Sequence, residues 1–276
     1  PMVGVPNFER RVQALKNIIK TNVVSYLPIV RTAEDRIKYE NFTLMNGPAS
    51  VEESQAAGGK PVNTSGMLPF LFEFEQDEQG NITLFPAGDT APWIPLYHIS
   101  PPWENAGIIN WNIGAYPWNQ RDLAFMDKTK QPVMTEIFDL NAFVSEDQRT
   151  DDPTSVYNQP IMTNFSDDAQ VGAVLQTILP WNFYFEKLLP EGTETIYAVV
   201  RNDCNQNFTY AIEGPDAIFL GEENLHESGY DYMRKTVLIE AFQAQEGLDL
   251  CSYSIEVSPS KALEDHYKTK MPIVFT

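Results

Sequence analysis

The chain has 276 residues, enough for one large domain or for two lobes of roughly 100–150 residues, each with its own core. Hydrophobic residues at 43% and aromatics at 12% exclude a disordered chain. Nineteen Lys and Arg against 38 Asp and Glu leave a net charge of −19, a field that repels phosphate backbones and anionic lipid headgroups and so argues against nucleic acid or a membrane surface as partner.

Chain order begins with residues 7–20, where Phe8, Val12, Leu15 and Ile19 recur at helical spacing behind Pro6 and a capping Asn7. Residues 22–30 are β-branched and aromatic and read as a buried strand stopped at Pro28. A short helix is expected over 32–42, with Thr32 as cap and Glu34 and Asp35 in its first turn. Residues 43–66, rich in Gly, Ala, Ser, Asn and Pro, read as a long loop. A hairpin follows, with strands at 68–75 and 82–85 and its turn at 79–81. Residues 86–119 hold six prolines and four of the five tryptophans, the composition of loops and short edge strands lining a cleft.

Further strands are expected at 133–140 and 159–165, and a composition change at 166–169 suggests a lobe boundary. After it come a strand feeding a helix over about 170–189, then strands at 196–201, 207–214 and 217–220. A helix at 230–245 and a strand at 250–257 complete the reading. The second lobe reads as helix plus antiparallel sheet, and the fold class is α+β.

No HExxH, GxSxG, GxGxxG or Walker A pattern occurs, and His98, His226 and His266 are far apart. Neither a metal set nor a cofactor motif is present. The adjacent acids Asp151/Asp152 and Asp167/Asp168 fit an acid–base pair or a Ca²⁺ site, but in so acidic a chain they fit solvated surface better. Trp93, Tyr97, Ser100, Trp103, Asn110 and Asn112 combine aromatic faces with a few polar handles, as small-molecule pockets do. Packing beneath irregular loops accounts for the same residues. The acidic balance favours a neutral or cationic ligand.

Two cysteines, Cys204 and Cys251, are either buried thiols or a disulfide. Five N-x-[ST] sequons, at Asn41, Asn63, Asn81, Asn164 and Asn207, favour an oxidising, glycosylating compartment and hence the disulfide. No apolar run approaches the roughly 20 residues of a membrane helix, and no signal peptide opens the chain. A chain opening on Pro1 reads as an excised or processed piece.

Several segments resemble the extracellular region of receptor-type class III nucleotide cyclases of diatoms and related algae, a region similar to CHASE sensor domains. They are ALKNIIKTNVVSYLPIVRTAEDRIKY (14–39, with Asp35-Arg36 and Tyr39-Glu40), APWIPLYHISPP (91–102), LPWNFYFEKLLPEG (179–192), RNDCNQNFTYAIEGPDAIFLGEENLH (201–226) and CSYSIEVSPSKALEDHYKTKMPIVFT (251–276). Glu222-Glu223-Asn224 departs from the family, whose members tend to carry Gly and Asp before Leu-His.

The resemblance implies a CHASE/Cache-like sensor. A stalk helix over 1–21 precedes two PAS-like antiparallel-sheet lobes, a membrane-distal one at 22–166 and a membrane-proximal one at 167–276, the second running into a membrane helix whose first residues are 272–276. It also implies a Cys204–Cys251 pair, a homodimer formed along the 7–20 helix, and flanking transmembrane helices leading to an intracellular cyclase. The expected activity of this region is ligand sensing, with no catalysis of its own. An adhesion or shell protein and a secreted glycan hydrolase using paired carboxylates are the alternatives.

Overall fold

The structure, a computed structural model, describes residues 4–19, 21, 23–76, 82–102, 106–137, 152–166, 168–239 and 250–268. Among the described residues it is α+β, with two five-stranded sheets and one separate hairpin. The chain divides into two compact units, one of residues 1–133 and 156–178, the other of 134–155 and 179–276.

In the first unit, α1 (Phe8–Ile19) forms as its spacing predicts. It is no free stalk, because Phe8 and Val12 are buried against Val24 of β1. β1 (Val23–Pro28) pairs antiparallel with both β4 (His98–Ser100) and β7 (Val171–Pro180). With β6 (Thr154–Met162) and β5 (Val133–Met134) these build a sheet of order β4-β1-β7-β6-β5.

One long helix, α2 (Ala33–Ala57), replaces the expected short helix and the first part of the expected loop, while 58–66 lie outside any helix or strand. Thr32 caps it, accepting from Asp35 N at 3.1 Å. The breakers Gly47 and Pro48 lie inside α2. A Cβ at Gly47 would sit 2.1 Å from Met67 Cε, so the end of the Met67 side chain would have to shift, and Pro48 faces solvent. Burial of Tyr39, Thr43, Gly47 and Val51 along one side outweighs the propensity cost. Arg36 and Glu40 clamp α2 to its neighbours: Arg36 Nη1 donates to Ala87 O at 3.1 Å, and Glu40 Oε1 accepts from Leu71 N at 3.0 Å.

The hairpin forms as β2 (Phe72–Gln76) and β3 (Ile82–Pro86), starting later than expected, with Leu71 buried just ahead of it. Its turn lies outside the described residues. The irregular stretch that follows is stitched by single bridges, Val30 to Trp93, Phe72 to Trp111 and Pro95 to Asn112. After a 3-10 turn (Ile113–Ala115) comes an unforeseen helix, α3 (Pro117–Thr129), with proline at its start where no N–H is required.

The expected strand at 133–140 survives only as β5, with 138–140 outside the described residues. β6 starts five residues before the expected strand, and between it and its partner β7 Thr163 N donates to Gln170 O at 2.9 Å. The lobe boundary expected at 166–169 therefore falls in a hairpin turn within one sheet, whose polar composition imitates a linker.

In the second unit, the helix expected to reach residue 189 is the single turn α4 (Asn182–Phe185). The chain leaves it because Lys187 takes φ 59° and its N–H donates to Pro215 O at 2.7 Å. Strands β8 (Ile196–Asn202), β9 (Asn207–Glu213) and β10 (Asp216–Glu222) form where expected. β12 (Tyr253–Pro259) pairs with β8 along seven residues.

The helix expected at 230–245 is corrected to a 3-10 turn (Ser228–Met233) and β11 (Lys235–Leu238), with 240–249 outside the described residues. The Lys-Thr-Val-Leu run pairs with β12 as an edge strand instead of continuing a helix. The sheet order is β10-β9-β8-β12-β11. Cys204, in the β8–β9 turn, is disulfide-bonded to Cys251, just ahead of β12. α5 (Lys261–Tyr267), capped by Ser260 Oγ accepting from Leu263 N at 3.1 Å, was not foreseen. Among the described residues no helix is long and apolar enough to cross a membrane, and 272–276 lie outside them.

Candidate functional site

Backbone that runs without a regular ladder still needs hydrogen-bond partners once it is buried. In the 91–112 segment the asparagines supply them. Asn110 accepts from Tyr39 Oη at 2.9 Å through Oδ1 and donates to Leu68 O at 2.8 Å through Nδ2. Asn112 accepts from Ile94 N and donates to Glu73 Oε1, both at 2.9 Å.

Trp93 is buried in a cluster with Val30, Tyr39, Leu71 and Tyr97. Its Nε1 donates to Gly88 O at 2.8 Å, and the Arg36 guanidinium stands 5.1 Å from the ring centroid. Ser100 is fully buried on β4 and accepts from Lys16 Nζ at 3.3 Å. Burial holds the Lys16 ammonium below its ordinary pKa, partly opposed by Glu9. The structure thus gathers Trp93, Tyr97, Ser100, Asn110 and Asn112 in one unit, with their polar groups turned to the protein itself; Trp103 lies outside the described residues.

Beside them is a cavity of about 20 Å³ lined by Ser50, Ser54 and Gln55 of α2 and by Tyr97, His98 and Ile109. That is room for about one water. His98, read from sequence only as one of three scattered histidines, organises this region. Its ring is buried and stacks on Phe8 at 4.8 Å, with Tyr97 edge-on at 4.5 Å. Nε2 faces Val5 N at 3.2 Å and Nδ1 faces Ser50 Oγ at 3.4 Å.

A backbone N–H can only donate, so Nε2 must accept and the neutral ring carries its proton on Nδ1. His98 therefore donates to Ser50 and is no base for it. Desolvation lowers its pKa to about 4, which keeps the ring neutral. The one signal in the sequence was its place inside the aromatic segment.

A second group unforeseen from sequence links α3 to the first sheet. Asn158 donates to Asp122 Oδ2 at 2.9 Å and accepts from Gln176 at 3.0 Å. Arg31 bridges Asp127 Oδ1 and Val171 O, each at 2.8 Å. Glu9 is buried and accepts from Gln13 through Oε1 at 2.6 Å, while Oε2 has no partner among the described residues.

In the second unit Glu136 lies beside the cysteines, but these are bonded to each other and offer no thiolate to a metal. Asp168 is exposed, and a hydrogen bond from Ser166 lowers its pKa; Asp151 and Asp167 lie outside the described residues. Of the sequon asparagines, Asn41, Asn63 and Asn164 are exposed, Asn207 is half-buried at the start of β9, and Asn81 is outside the described residues. Compared with known proteins, the chain matches no family model and no curated protein.

Proposed function

We propose that this chain is the extracellular sensing region of a membrane receptor, a CHASE/Cache-like module of PAS-like lobes. It binds a small neutral or cationic molecule and signals through flanking membrane helices to an intracellular nucleotide cyclase. The observation that carries this reading is the triple attachment of one segment to one helix. Val5 N, ahead of α1, donates to His98; Phe8 of α1 stacks on the same ring; and Lys16 of α1 donates to Ser100. Rearrangement of the 93–100 segment therefore moves α1.

Further support comes from the sheets, in each of which the first and last strands lie side by side near the centre, β1 with β7 and β8 with β12. The disulfide is compatible with an extracellular location. Because the polar groups of the segment are satisfied internally, a ligand has to select a second arrangement in which Tyr97 and His98 have moved. That difference in affinity between two arrangements is what sensing requires.

The test is a thermal-shift screen with free amino acids, amines and nucleosides, followed by amide hydrogen exchange on any hit. The expected result is altered exchange in both 4–19 and 91–112. A hit that altered neither segment would overturn the reading. In the receptor the chain is a homodimer along α1, where Ile18 is exposed and Leu15 and Ile19 are half-buried. A dimer that survived Leu15→Asp together with Ile19→Asp would refute that interface.

A further inference from the structure

The outer side of α2 carries an apolar stripe that the fold leaves open. Ile37 is 61% exposed, Leu44 58% and Met45 79%. At about 100° per residue they fall within an arc of roughly 100°, on the side away from the buried Tyr39, Thr43 and Gly47. In the middle of that arc stands Asn41, exposed and the first residue of the sequon Asn41-Phe42-Thr43. Ile37 precedes it by four residues, Leu44 follows by three and Met45 by four, so each is its immediate neighbour on the helix surface at about 5–6 Å.

We propose that Asn41 carries an N-linked glycan whose first sugars lie along this stripe and shield it from water and from other protein. The inference rests on the extracellular reading above and assigns one sequon a physical task. The bond forms between Asn41 Nδ2 and the anomeric carbon of an oligosaccharide carried on a lipid pyrophosphate. The anomeric C–O bond breaks, lipid pyrophosphate leaves, and the amide proton passes to a base of the transferase; nothing is oxidised or reduced. The N-acetylglucosamine ring has an apolar C–H face of the size of one such side chain, and its reach matches the neighbour spacing on a helix.

The structure also orders the events. Thr43, whose hydroxyl the sequon requires, is fully buried in the folded chain and donates to Tyr39 O at 2.6 Å. Modification therefore precedes the folding of α2. Asn63 and Asn164 differ: both are exposed outside helices, and each accepts from its own sequon serine. They serve as controls for occupancy away from α2.

Glycopeptide mass spectrometry on the protein from the cells that make it is the first arm. Occupancy at Asn41 is the expected result. Asn63 and Asn164 occupied with Asn41 bare overturns the inference and leaves the extracellular reading standing, whereas no occupied sequon anywhere overturns both.

The second arm compares this 276-residue chain, secreted by a eukaryotic host, with its N41Q and N63Q variants. N41Q is expected to bind an apolar dye several-fold more strongly and to self-associate, N63Q to behave as the parent. Adding Ile37→Ser, Leu44→Ser and Met45→Ser to N41Q is expected to abolish the gain. Unchanged dye binding in N41Q, or a second copy seated on the stripe of the parent protein, overturns the proposal.

Discussion

The Tyr39 phenol donates to the Asn110 amide oxygen across 71 residues of sequence, joining α2 to the turn that closes the aromatic segment. Asn110 is fully buried and holds φ 76°, a backbone conformation that asparagine tolerates better than most residues. Its side chain and its backbone are therefore both required at this point.

Asn110→Ala strands Tyr39 Oη and Leu68 O and adds left-handed strain. A loss of about 3 kcal/mol in denaturant unfolding is expected. Asn110→Gly loses the same two bonds without the strain and is expected to cost about 1 kcal/mol less. If the two variants unfolded at the same denaturant concentration, strain would have no part in the loss.

His98 predicts a pH dependence whose sign is fixed. Its pKa is about 4 when folded and about 6.5 when unfolded, so the unfolded chain takes up the proton first as pH falls. The fold is unaffected by this group above pH ~6.5 and loses up to about 3 kcal/mol between there and pH ~4. Subtracting the stability profile of His98→Asn from that of the parent isolates the contribution. A flat difference across that window would refute it.

The disulfide spans 47 residues. In the chain-entropy treatment such a loop stabilises by about 4 kcal/mol. Cys204→Ser with Cys251→Ser is expected to lose about that much, read from the denaturant midpoint at constant slope. A loss below about 1 kcal/mol would mean that the bridge only decorates the fold.

Pro48 lies inside α2, faces solvent and leaves one helical carbonyl without its usual donor. Pro48→Ala is therefore expected to stabilise the chain by roughly 1–3 kcal/mol. A destabilised variant, measured by thermal unfolding, would show that the ring makes a needed packing contact.

That proline also shows why part of the fold was illegible. Strands β1, β8, β9 and β10 announce themselves through β-branched and aromatic runs closed by turn residues. α2 does not, because Asn46-Gly47-Pro48 break the local pattern while the residues that make the helix worthwhile, Val30, Leu71, Trp93 and Ile109 among them, are distant in sequence. The reading of 230–245 as a helix failed for a related reason: Val237 and Leu238 are apolar but exposed on an edge strand, so their spacing carried no information about a buried face.

At the candidate site, composition alone gathered Trp93, Tyr97, Ser100, Asn110 and Asn112 in one segment. It could not tell asparagines that meet a ligand from asparagines that meet their own backbone. The sequence does not single out His98, whose importance lies in what surrounds it, the Phe8 ring, Val5 N and Ser50 Oγ, none of which is adjacent in sequence.

The Cys204–Cys251 bond also decides how the second unit bears load. Tension applied between α4 and α5 reaches Cys204 through β8, crosses the sulfur bridge and continues into β12. The whole of β9, β10 and β11 is left slack. Roughly 160 Å of contour, 47 residues at about 3.4 Å each, stays hidden from a pulling device until the bridge is reduced. β8 and β12 are then the strands that feel force, and their seven-residue pairing is the element whose rupture an optical trap would record first.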